Sequence, residues 1–114
     1  MNIEIENDTI YMNNKKIEFE NTIGDYIEFD DLVVVRLELT GENYPNINRN
    51  VIGVKSDGSI CWRIALCPDK TGGGHDAYNG LFKHDDELWA TNLNGMKYKV
   101  DKNNGEIVDK KFVK

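Results

Sequence analysis

Hydrophobic and polar residues alternate with a period of two along most of the chain, and short polar clusters punctuate the alternation. Ile3 and Ile5 alternate with Glu4 and Glu6, Asn7-Asp8 turns the chain into Thr9-Ile10-Tyr11-Met12, and Asn13-Asn14 turns it again into Lys16-Ile17-Glu18-Phe19-Glu20. Such alternation buries one side of an extended chain and wets the other, which is the mark of an antiparallel strand. Tyr26-Ile27-Glu28-Phe29 leads through Asp30-Asp31 into Leu32 to Leu39, whose unbroken apolar start predicts a central strand covered on both faces. Leu81-Phe82 and Leu88-Trp89-Ala90-Thr91 are further strands, and Asn94-Gly95 is the strongest hairpin dipeptide in the chain. No window holds the i, i+3, i+4, i+7 spacing of an amphipathic helix; Gly24 to Phe29 allows one helical turn at most. Pro68 to Gly80, with Thr71-Gly72-Gly73-Gly74, reads as one long irregular segment. The pattern predicts an all-β, antiparallel meander of about ten short strands, open and propeller-like or a small sandwich. It forms a single domain over residues 1–114.

One unit occurs twice. Val54-Lys55-Ser56-Asp57-Gly58-Ser59-Ile60-Cys61-Trp62 and Val100-Asp101-Lys102-Asn103-Asn104-Gly105-Glu106-Ile107-Val108 each read as strand, polar turn with Gly, and strand. Gly58 and Gly105 stand where a tight turn needs positive φ, and Val54 with Ile60, or Val100 with Ile107, can then meet across the strands. Trp62, Trp89 and Tyr98 fall on strand positions and are assigned to the core.

These two hairpins resemble the blade-terminal strands of β-propeller repeats of the quinoprotein-like class. Those repeats read roughly as Ala-x-Asp-x-x-Thr-Gly-x-x-x-Trp. The second unit keeps Asp101 and Gly105, with Asn104 in place of Thr and Asp109 in place of the docking Trp; the first keeps Gly58 and Trp62 but has Lys55 where Asp would stand. A closed propeller takes at least about four blades of four strands, so the resemblance implies an incomplete set of blades. An incomplete set exposes a sheet edge, through which a homodimer can form. No cofactor contact carries over from the quinoprotein class. In size, acidity and β-rich build the chain also looks like the small solitary bacterial proteins that act as immunity proteins.

Composition narrows the partners. A net charge of −6 and a pI near 4.8 argue against nucleic acid and anionic membranes. The longest apolar run, Leu32-Val33-Val34-Val35, is far too short to span a bilayer. The N-terminal residues show neither the basic nor the apolar region of a secretory signal, and two cysteines in such a chain suit a reducing compartment. A cytoplasmic location is expected. The acidic residues concentrate between Glu18 and Glu42, where Arg36 is the single cation.

Chemistry-bearing residues are few. Lys70-Thr71-Gly72-Gly73-Gly74-His75-Asp76 lacks the terminal Gly-Lys-Ser/Thr of a phosphate-binding loop and reads as a flexible connection. His75, Asp76, His84 and Asp85 are metal-ligand types, and the basis of a lesser reading as a metal-dependent hydrolase, yet a binuclear site needs more ligands than two histidines begin to supply. Cys67 and His75 are close in sequence, whereas Cys61 falls inside a strand. No catalytic residue, metal site or cofactor is therefore assigned. The expected function is non-enzymatic protein binding, an immunity protein neutralising a basic, nuclease-type toxin, with a β array completed by dimerisation as the alternative. Asp25, Glu28, Asp30 and Asp31 are the expected acidic contacts, with loop residues Tyr44 and Tyr78 as aromatic anchors.

Overall fold

The computed structural model describes residues 2–38, 47–71, 74–75 and 77–112. A first sheet contains β1 (Ile3–Glu6), β2 (Thr9–Met12) and β3 (Lys15–Glu18). A second contains β4 (Ile23–Phe29), β5 (Leu32–Leu37), β6 (Val51–Lys55) and β7 (Ile60–Arg63). A small ribbon follows, β8 (Lys70–Thr71) with β9 (Gly74–His75), and then a third sheet of β10 (Tyr78–His84), β11 (Glu87–Asn92), β12 (Met96–Val100) and β13 (Ile107–Phe112). Every strand is antiparallel to the next one in its sheet. Apart from one 3-10 turn at Ile47–Arg49, the described residues form no helix, so the fold is an all-β meander.

Gly24 to Phe29, where the sequence allows one helical turn at most, is strand throughout, since β4 pairs with the apolar β5 along its length. The segment from Pro68 to Gly80 is also more regular than its glycines suggest. It holds the β8–β9 ribbon, and Tyr78 to Gly80 already belong to β10, where a bulge between Tyr78 and Gly80 absorbs the irregularity. Gly72 and Gly73 lie outside the described residues.

The second sheet is the middle layer. Ile23, Val33, Val35, Leu37, Ile52 and Val54 pack against Ile10 and Met12 of the first sheet. On the opposite side Leu32, Val34, Val51 and Trp62 pack against Tyr78, Leu88, Ala90, Tyr98 and Val100 of the third. All six residues of β5 are buried, as an unbroken apolar run demands. The one charge among them, Arg36, is neutralised 2.5 Å from Asp25.

The duplication extends beyond the hairpins to whole sheets. Val33↔Val54 and Val34↔Gly53 in the second sheet have the register of Leu88↔Val100 and Trp89↔Lys99 in the third. Val54↔Ile60 corresponds to Val100↔Ile107, and each pair follows a bulge at the same point. Gly58, Gly95 and Gly105 have φ of +89°, +87° and +78°, as the turns required. Ile60 nevertheless stays exposed: the pair meets, but only Val54 is buried.

Two features lock the second and third sheets together. Trp62 lies over Gly53 and against Gly105, and its indole N–H donates to the Lys102 carbonyl at 2.7 Å. The first copy's tryptophan is thus seated on the second copy's turn. Asn50, wholly buried, donates to the carbonyls of Leu37 (2.9 Å) and Tyr78 (2.8 Å) and accepts from the Tyr78 amide at 3.0 Å.

Gly→Ala at either Gly95 or Gly105 costs roughly 1 kcal/mol for the positive φ. A Cβ at Gly95 meets nothing within 4 Å, whereas one at Gly105 stands 2.7 Å from the Trp62 ring. Urea midpoints are expected to fall further for Gly105→Ala than for Gly95→Ala; equal losses would mean that Trp62 is not seated there. Asn50→Ala strands buried backbone groups on two sheets and is expected to lose about 3 kcal/mol in the same assay, a loss below about 1 kcal/mol being contradictory.

Candidate functional site

Five hairpin turns gather at one end of the stacked sheets. Two of them, Asn13-Asn14 and Asp85-Asp86, are two-residue turns with positive φ at both positions, a conformation that Asn and Asp tolerate best among non-glycine residues. Asp30-Asp31 closes β4 onto β5, Ser56 to Ser59 closes β6 onto β7, and Asp101 to Glu106 closes β12 onto β13. The turns are cross-braced. Asn13 Nδ2 donates to the Ser56 carbonyl at 2.9 Å, and the Ser56 hydroxyl donates to the Asp31 carboxylate. Lys102 donates to the Asp86 carbonyl (2.6 Å) and carboxylate (3.0 Å).

Between the second and third sheets this end opens into a cleft of about 470 Å³. Phe29, Leu32 and the half-buried Cys61 form its apolar floor, and Asp30, Asp31, Asp86, Lys55 and Lys102 stand around it. The ammonium groups of Lys102 and Lys83 lie 4.5 and 4.8 Å from the centre of the Phe29 ring, a favourable cation–π arrangement. The hydrogen bond and charge of Lys102 hold the Asp86 carboxyl below the usual carboxylate range, and the hydroxyl and amide of Ser59 do the same for Asp57. Burial pushes the Cys61 thiol up, away from the thiolate.

Of the six expected contacts, Glu28, Asp30 and Asp31 are exposed, and the latter two stand at the rim of this cleft. Asp25 is engaged within the fold: it pairs with Arg36 and accepts the Leu81 amide at 3.3 Å, joining β4 to β10. Tyr44 lies outside the described residues. The assignment of Tyr78 to a loop is corrected, because its side chain is fully buried. Its hydroxyl donates to the Ala65 carbonyl at 2.9 Å and its ring meets Tyr98 edge-on at 6.2 Å, so it cannot reach a partner.

Of the four metal-ligand types, only His84 and Asp85 have described side chains. His84 Nε2 lies 3.3 Å from Asp85 on an exposed turn, and Asp76 is outside the described residues, as is the side chain of His75. Among the described residues no three His, Cys, Asp or Glu side chains are grouped to hold a metal ion. Neither Cys61 nor Cys67 forms a disulfide among the described residues. Cys67 is buried in a cluster that sequence reading missed. Its sulfur lies 3.2 Å from the Tyr98 hydroxyl, Asn94 donates to that hydroxyl at 2.8 Å, and Tyr98 donates to Asp69 at 2.7 Å. Lys110 donates to the same Asp69 carboxylate at 2.9 Å. Burial raises the Tyr98 phenol well above its usual value, so this group stays protonated and serves to tie the chain after β7 onto the third sheet.

Asp57 and Asp86 have depressed folded-state pKa values, so each favours the folded state above the ordinary carboxylate pKa near about 3.9 and loses that contribution as pH falls through the folded value. NMR titration of the carboxyl carbons is expected to give both residues midpoints below that value. Lys102→Ala is expected to raise the Asp86 midpoint and leave Asp57 unmoved; an unmoved Asp86 would contradict the Lys102 contact.

No helix among the described residues is long and apolar enough to cross a membrane. No curated protein matches the chain. The family model that does match covers residues 1–112, and the chain belongs to that family, a domain of unknown function (DUF7957).

Proposed function

We propose that this chain is a non-enzymatic protein-binding domain whose turn end receives a basic protein, and that it acts as an immunity protein against a nuclease-type toxin. The observation that supports this most is a group of exposed carboxylates at that end without a direct ion pair, although Lys55 and Lys102 stand in the same cleft. Asp30, Asp31 and Asp57 project from adjacent turns, and none of them forms an ion pair among the described residues. Glu28 extends the acidic surface along β4. Carboxylates displayed on braced turns imitate the phosphates that a nuclease binds, and they speed association with a cationic partner. Two-residue turns held by cross-links lose little entropy on binding. The reading implies the bacterial cytoplasm, a reducing compartment that suits two cysteines not joined in a disulfide, Cys61 and Cys67.

Isothermal titration against the product of the reading frame adjacent to the gene tests this. A basic protein is expected to bind, more weakly as salt is raised. The double change Asp30→Lys, Asp31→Lys is expected to weaken binding at least about tenfold, equivalent to about 1.4 kcal/mol. Absence of binding, or a variant that binds as the wild type does, would overturn the reading.

A further inference from the structure

The three sheets are stacked in one sense. The face that the third sheet turns to the second, carrying Leu88, Ala90 and Tyr98, is equivalent by register to the face that the second turns to the first, carrying Val33, Val35 and Ile52. The outer face of the third sheet is therefore the equivalent of the one by which the second sheet receives its neighbour. It is not finished as a plain solvent face. Trp89 and Phe82 stack on it at 6.1 Å with planes 8° apart, and the ammonium groups of Lys97 and Lys111 lie 5.5 Å from the Trp89 ring. These four side chains, with His84, Asp85 and Glu87, line a hollow of about 300 Å³.

At the other end of the stack, the first sheet buries Ile3, Ile5, Ile10 and Met12 against the second and turns its opposite face outward. Strand alternation puts Glu4, Glu6, Glu18, Tyr11 and Lys16 on that outer face, and all five are exposed. One terminal face thus carries three glutamates and Lys16 around a tyrosine, and the other carries Lys97, Lys99 and Lys111, with Glu87 paired to Lys99 and Asp109 beside it, around a stacked tryptophan and phenylalanine.

We infer that the outer face of the third sheet receives the outer face of the first sheet of a second copy, so that the stack continues head to tail between molecules. The surfaces lie on the flanks of the stack, and the hollow reaches the turn end at Asp85; the residues changed in the test below lie outside those turns, so failure of this inference and failure of the proposed function are distinguishable. Both the sense of the internal repeat and the complementary charge select this pairing over a face with itself, which would set lysine against lysine. The interface differs from the internal one in a telling way. Where the second sheet offers Val51, Gly53 and Trp62, the third offers Lys97, Lys99 and Asp109. An association of this composition is reversible and sensitive to salt.

Sedimentation velocity across a concentration series tests it with a charge swap. At low salt the wild type is expected to rise above the monomer mass with concentration and to return toward it in high salt. Lys97→Glu with Lys111→Glu makes both terminal faces acidic, and Glu4→Lys with Glu6→Lys and Glu18→Lys makes both basic. Each variant alone is expected to remain monomeric, and an equimolar mixture is expected to associate, because the faces are then complementary again. Circular dichroism establishes that each variant is folded. A wild type that stays monomeric at every concentration, a mixture no more associated than its components, or self-association indifferent to all five changes would overturn the inference, the last pointing to a sheet edge as the contact.

Discussion

The seating of Trp62 on Gly105 is the contact from which the arrangement of the other parts follows. An indole held over Gly53 on its own sheet and against a glycine turn of the next fixes both the spacing and the rotation of two four-stranded layers. Its N–H finds the Lys102 carbonyl at 2.7 Å, so the ring buries a large apolar area without stranding its polar atom. Lys102 is thereby placed beside Asp86 and over Phe29, and these residues line the cleft at the turn end. At the far end of β5, Asn50 does the corresponding work with backbone groups of Leu37 and Tyr78. A hydrophobic interface alone lets sheets slide; two directional contacts at its two ends do not.

Local structure was legible in the sequence because its causes are local. Asn13-Asn14, Asp85-Asp86 and Asn94-Gly95 announce turns through the conformations these residues tolerate, and Gly58 and Gly105 through a φ that other residues avoid. The burial of β5 was legible too, since an uninterrupted apolar run has no side to give to water. Contacts between sheets were not. Tyr78 stands among Asp, Asn and Gly, and that company reads as a loop. What makes it strand is Asn50, 28 positions away, together with pairing to Asn92. Asp25 was read with the acidic run around it, but alternation along β4 turns its carboxylate toward Arg36 and away from Asp30 and Asp31. Charge counted along a chain mixes the two faces of a strand, and only the register separates them.

The duplicated sheets have diverged in a directed manner. Positions that face the core in both copies stay apolar, as with Val33 and Leu88 or Val54 and Val100. Positions buried in the second sheet but outward in the third have become Lys97, Lys99 and Asp109. The middle layer therefore carries the stability, and the two outer layers carry the charge. Exposed carboxylates on the turns at one end, and lysines on one flank against glutamates on the other, give the molecule distinct surfaces on one scaffold.

The proton chemical shifts of Gly105 test the arrangement most directly. With the Trp62 ring against it, the Gly105 α-protons must show ring-current shifts away from ordinary glycine values, together with through-space contacts to the indole. Both must vanish in Trp62→Leu while the wild-type sheet signals elsewhere persist. Ordinary Gly105 shifts in the wild type, with no contact to the indole, would mean that the two sheets are joined in some other way.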